Sequence, residues 1–233
     1  MKKLIWLLCF SVWMCCGAQA ATFLYETKAR GFHILDAEMQ YKQDSDSYMA
    51  QAHAQTKGLL NLFMKAESYF YSAGNRDRKS LKPDLSTFKN IRRGREKFYA
   101  VDFTDNRGFV DFPAAFLTLV NTDKPGNKTL RVRDTKREYK ITLTYRGMVD
   151  PDPAVRIAAD SWAFYTMSVE VTQGKKKGWF FNRLKNKDNP PLRLYFAHLP
   201  DVPEWVLMQA EIDSGLLGTI RLRLAEIDSD TAD

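Results

Sequence analysis

The chain has 233 residues, 35 Lys and Arg against 28 Asp and Glu, a formal net charge of +7 with histidine neutral, and three cysteines. A length of this order can bury one core without covalent staples, and so modest a basic excess favours weak attraction to anionic phospholipid, lipopolysaccharide or an acidic protein face. Cys9, Cys15 and Cys16 all lie in the first twenty residues, so a chain that loses them has no disulfide, no cysteine nucleophile and no thiolate metal site.

Those residues are laid out as a secretory signal peptide: Lys2 and Lys3, an apolar run from Leu4 to Cys16, then Gly17-Ala18-Gln19-Ala20. Ala18 and Ala20 occupy the positions where signal peptidase needs small side chains, which places the cut between Ala20 and Ala21. As a helix the apolar run rises about 20 Å, short of a hydrocarbon core of about 30 Å, which argues against an uncleaved anchor. Lipoprotein processing at Cys15 or Cys16 would need a small preceding residue, and Met14 and Cys15 do not supply one. The expectation is a periplasmic protein with a leader at 1–20, one β-rich domain at 21–227 and an acidic tail at 228–233. After cleavage it is expected not to be an integral membrane protein. The mature charge is +7 − 2 = +5, and export carries the chain away from nucleic acid.

Apolar and polar residues then alternate with a period of two, the mark of a strand with one buried face. Leu35, Ala37, Met39 and Tyr41 form one such face. Beyond the polar turn 43–47, Tyr48, Ala50, Ala52 and Ala54 form the next, which makes a hairpin. Further strands are expected over about 63–72, 85–92, 95–103, 129–134, 139–145, 161–173, 192–199, 205–213 and 219–227. Turns are expected at 73–77, 104–108, 174–178 and 214–215. One helix is expected over 112–121, with Asp111 as N-cap and Pro113 in its first turn. Twist accumulates over so many strands, so the expected fold is mainly all-β: a strongly curved antiparallel sheet or partly open barrel with one short helix on its concave side.

Motifs for chemistry are sparse. His33, His53 and His198 stand apart, without the i, i+4 spacing of a helical metal pair. His53 is expected to meet solvent, and His198, with the parity of Leu192, Leu194 and Phe196, to sit satisfied at the core edge. There is no Gly-x-Ser-x-Gly elbow and no phosphate-cradling glycine loop. Asp150 and Asp152 flank prolines in a rigid turn. No catalytic residue, metal ligand or cofactor is therefore expected, and the chain is expected not to be an enzyme.

Two surfaces could bind. Around Lys175, Lys176 and Lys177, the aromatics Trp179, Phe180 and Phe181 suit an anionic membrane surface, although a solvated hairpin loop accounts for them as well. Tyr139 and Ile141, Trp162 and Phe164, and Trp205 and Leu207 could line an apolar cavity in the curved sheet, although core packing explains them without a ligand.

Phe23 to Lys28, the strand from Tyr48 to Gly58 before Leu59 and Leu60, Pro83 ahead of a basic hairpin, Leu130 to Tyr139, Pro191 to Tyr195 and Gly218 to Leu224 together resemble domain-of-unknown-function family 3108, a group of exported bacterial proteins. The resemblance implies a periplasmic β protein and transfers no catalytic residue. The insert from Lys175 to Lys187 departs from that pattern. The expected function is non-enzymatic binding of a hydrophobic or amphiphilic envelope component, with a lipid or other amphiphile as partner. The alternative is a structural or assembly factor that contacts envelope proteins, and a third class is an enzyme with an unfamiliar site.

Overall fold

A computed structural model of the chain describes residues 19–77, 80–104, 108–120, 124–174, 192–199, 202–213 and 218–228. The elements run β1 (Gln19–Ala29), β2 (Phe32–Gln43), β3 (Ser47–Thr56), α1 (Gly58–Phe63), β4 (Ala66–Asp77), β5 (Ser80–Arg92), β6 (Arg95–Asp102) and α2 (Phe112–Val120). They continue with β7 (Lys128–Arg133), β8 (Glu138–Val149), β9 (Trp162–Gln173), β10 (Leu192–Leu199), β11 (Val202–Asp213) and β12 (Thr219–Asp228). Every strand joins one antiparallel sheet in the order β6-β5-β4-β3-β2-β1-β12-β11-β10-β9-β8-β7. The sheet is thus two meanders joined where the first strand pairs with the last, from Thr22 opposite Asp228 to Ala29 opposite Ile220. Strands β6 and β7 are its edges and do not pair with each other, so the sheet is curved but unclosed.

Local chemistry sets the hairpins. Arg30-Gly31 and Arg93-Gly94 each place two consecutive residues at positive φ, the two-residue turn whose twist matches that of the strands it joins. The expected turn at 73–77 is instead strand: β4 runs on to Asp77, with a bulge between Ala73 and Gly74 opposite Pro83. A Cβ at Gly74 would lie 2.2 Å from the Lys82 carbonyl oxygen. The glycine therefore permits a close approach of two strands at a proline that cannot donate to the ladder. A second difference is α1, whose six residues are too few to show a helical period in the sequence. The Thr56 hydroxyl fastens its far end, lying 3.0 Å from the Met64 carbonyl and accepting the Ala66 N–H at 3.0 Å.

Helix α2 gives the sheet its depth. The Asp111 carboxylate accepts the Ala114 N–H at 2.7 Å, as expected of an N-cap. The helix touches β3, β4 and β5 on one side and β7 and β11 on the other, so the sheet curls around it. Ala114, Ala115 and Leu117 are buried there. Phe116 meets Phe196 at 6.4 Å, and Phe196 meets Tyr165 edge-on at 5.7 Å. On the face away from the helix, Val155, Ile157 and Ala159 of the 150–161 segment pack into the core, and Asp152 binds Arg223 at 2.7 Å.

Candidate functional site

The six residues expected to line a cavity do not share one face. Tyr165 faces the helix through Phe196, so its neighbour Phe164 faces away, as does Trp162; both rings contact Tyr195 instead. Tyr139 and Ile141 lie on the helix side, in register with Val171 and Val169, and Leu207 sits opposite Phe196. Tyr139, Ile141, Trp162, Trp205 and Leu207 are buried in the core. They are wall and filling of the packed half of the sheet, and the cavity described below is lined by other residues.

That cavity, about 300 Å³, lies on the helix side of the opposite half. Strand register builds its wall: Ala52 faces Phe70, Phe70 faces Phe88, and Phe88 faces Tyr99. The Phe70 and Phe88 rings are 4.6 Å apart, and Phe88 and Tyr99 stack at 6.2 Å. Phe112 and Pro113 at the start of α2 close the inner side, and Arg133, Asp134, Thr135 and Lys136 form the rim. Asp134 makes that rim rigid, since one carboxylate oxygen accepts the N–H groups of Lys136 at 2.6 Å and Arg137 at 2.8 Å. Its other oxygen accepts the Tyr139 hydroxyl at 2.5 Å. Burial, then this bond to a carboxylate, pushes the Tyr139 phenol up to about 12.

Lys136 reaches across the gap between the sheet's edges. Its ammonium donates to the Tyr99 hydroxyl at 3.3 Å and lies 4.5 Å from the centre of the Tyr99 ring. One exposed lysine thus clasps β6 to the β7–β8 turn over the mouth of the cavity.

Asp111 also borders the cavity, yet it is only 2% exposed. Its Oδ2 is buried and, among the described residues, has no partner within full hydrogen-bond distance. Burial raises its pKa above the ordinary carboxyl range, against the opposing pull of the nearby Ser72 and Ser86 hydroxyls and the Ala114 N–H. Asp111 thus caps the helix at the border of the cavity.

The histidines depart from expectation. His53 stacks on Tyr69 with centroids 4.4 Å apart, and its buried Nε2 has no hydrogen-bond partner among the described residues, so it does not simply meet solvent. His198 is exposed, its ring 4.1 Å from Trp205. His33 bonds Asp36. Lys175, Lys176, Lys177, Trp179, Phe180 and Phe181 lie outside the described residues, as do 1–18 and 229–233. Ala20 and Ala21, flanking the expected cut, stand in β1 opposite Lys42 and Tyr41.

The class these features define is a protein of one curved, unclosed antiparallel sheet wrapped around a short helix. No family model matches the chain, and no curated protein matches it. The resemblance to family 3108 therefore rests on the segments quoted above. Among solved structures the chain is similar to a β-barrel-like protein of domain of unknown function DUF1849 from Brucella abortus. The TM-score is 0.49 at 11% identity, over 92% of this chain and 99% of that chain. Among the described residues no helix is long and apolar enough to cross a membrane.

Proposed function

We propose that the protein is an exported, non-catalytic binding protein of the bacterial periplasm, of the kind that family 3108 represents, and that it seats the apolar part of an amphiphile in the cavity beside α2. The observation that carries this reading is the row Phe70, Phe88 and Tyr99, continued by Phe112, facing a space of about 300 Å³ rather than packed core. That volume is at the small end for ligand pockets, which suits a short acyl chain or a ring system. Lys136 on the rim supplies a cation for an anionic head.

Native mass spectrometry with organic extraction, on protein purified from a periplasmic fraction, tests the proposal. A stoichiometric amphiphile, lost on Phe88→Ala, supports it. A clean apo mass together with no uptake of added amphiphile overturns it.

A second reading, contact with an envelope protein, draws on the other face of the same strands. There Glu38, His53, Tyr69, Lys89 and Phe98 form a cross-strand row along a groove of about 560 Å³. Phe98 is 59% exposed on the edge strand β6, where an extended segment of a partner could add to the sheet. Crosslinking from position 98 in cells tests it, and a partner captured there that persists after Phe88→Ala would favour it over the cavity. The 175–187 segment is proposed to touch anionic membrane; reversing the charge of Lys175, Lys176 and Lys177 should abolish sedimentation with anionic vesicles, and a wild type that ignores such vesicles ends that proposal.

A further inference from the structure

The seam where β1 meets β12 carries, on the face away from the helix, two polar rows in strand register. Lys28 faces Arg221, Arg221 faces Glu211 and Glu211 faces Arg193; alongside, Glu26 faces Arg223, Arg223 faces Gln209 and Gln209 faces Tyr195. Beside them opens a cavity of about 330 Å³ lined by Glu26, Lys28, Arg156, Arg221 and Arg223.

The two β12 arginines are held from beneath. Arg221 Nε donates to Glu211 at 2.7 Å, and Glu211, its side chain only 9% exposed, also receives the Gln209 amide at 3.1 Å and pairs with Arg193 at 3.5 Å. Arg223 Nε donates to Gln209 at 2.8 Å, and one terminal nitrogen donates to Asp152 at 2.7 Å. Burial opposes the charge on Asp152, but the Ala154 N–H and the Arg223 guanidinium outweigh it and hold the carboxyl below its usual range. Among the described residues these contacts use Nε of Arg221, and Nε and one terminal nitrogen of Arg223, and both side chains line the cavity. Arg156 stands exposed at its mouth, with no ion pair among the described residues.

The charge is not balanced. Lys28, Arg156, Arg193, Arg221 and Arg223 face Glu26, Glu211 and Asp152, which gives 5 − 3 = +2. We infer that this pocket binds a phosphate group, a tetrahedral dianion that matches both the excess charge and the forked donors. The group could be carried by a lipid head or by a small soluble phosphate. The site lies on the sheet face opposite the amphiphile cavity and stands or falls separately from it.

Calorimetric titration with inorganic pyrophosphate and flotation with phosphatidic acid vesicles, against phosphatidylcholine vesicles, distinguish the two sources. Saturable pyrophosphate binding identifies a soluble ligand, and flotation with phosphatidic acid alone identifies a lipid head. In either case Arg156→Gln and Arg221→Lys should each weaken binding about tenfold or more, and raised salt should weaken it further. Arg156→Gln should leave the unfolding temperature of the free protein unchanged, because that side chain is exposed and makes no ion pair among the described residues. Binding indifferent to both substitutions, or no binding to either probe, overturns the site. So does flotation that survives them but is lost on reversing Lys175, Lys176 and Lys177.

Discussion

Strands β9 to β11 and strands β4 to β6 belong to one sheet and differ in what covers them. In β11 five consecutive residues, Trp205 to Gln209, are buried, whereas no residue of β6 is. Consecutive burial requires both faces of a strand to be covered. In the packed half the helix lies against one face, and the 150–161 segment adds Val155, Ile157 and Ala159 to the core. In the open half α2 reaches only part of the inner face, and the outer face meets water. Large aromatics such as Phe88 are then left half-buried in a wall with space in front of it. One half supplies rigidity, and the other displays surface.

The sharpest test of that contrast is Trp162→Ala, which removes a side chain 1% exposed and packed against Tyr195. It should cost about 3–5 kcal/mol in urea unfolding, and a loss under 1 kcal/mol would mean that this face is not packed. Next comes Asp111→Ala at the junction of the halves, expected to cost about 1–2 kcal/mol through the lost cap. Asp111→Asn keeps an acceptor for Ala114 and should cost far less. Its pH dependence has a definite sign. The folded carboxyl holds its proton above the usual 3.8, so its contribution to stability is present below 3.8 and lost as pH rises through the folded value. Asp111→Asn should remove that part of the slope in unfolding measured across this range.

Phe88→Ala, in the open wall, should cost about 1 kcal/mol, since much of the ring is already half-exposed. Its larger effect should be on co-purifying amphiphile, and a stability loss like that of Trp162→Ala would show the wall to be core. Phe98→Ser should change stability by less than about 0.5 kcal/mol. A greater loss in thermal unfolding would mean that the outer face is covered.

Strands β2 to β12 were legible in the sequence because alternation reports one buried face, and most of their boundaries fell within a few residues of those in the structure; β1 was not among the expected strands, because it begins inside the expected signal peptide. Gly74 and Asn75 read as a turn because their composition is that of turns, while the demand for a small residue opposite Pro83 becomes visible only once two strands are paired. Trp162 and Trp205 were grouped as lining because both are large and apolar. Their faces depend on bulges, including the one between Tyr195 and Phe196, that shift parity without a sequence signal. The aromatic wall was within reach. Counting outward from the Arg93-Gly94 turn, with Arg92 opposite Arg95, puts Phe88 opposite Tyr99. The clasp by Lys136 was not, since it joins residues whose nearness arises only when the sheet curls.

The pairing of β1 with β12 brings the two ends of the sheet's chain to its middle, and each meander is continuous in sequence on its own side. Joining the ends through a short linker and opening the chain between β6 and α2 would therefore give a circular permutant with every ladder preserved. Cutting there without joining would yield two half-sheets that meet along the β1–β12 seam, a natural pair for split-protein complementation. In the unaltered order, the ladder at the centre of the sheet cannot form until the last strand has been made, so during synthesis the first strand must wait for the final one to arrive.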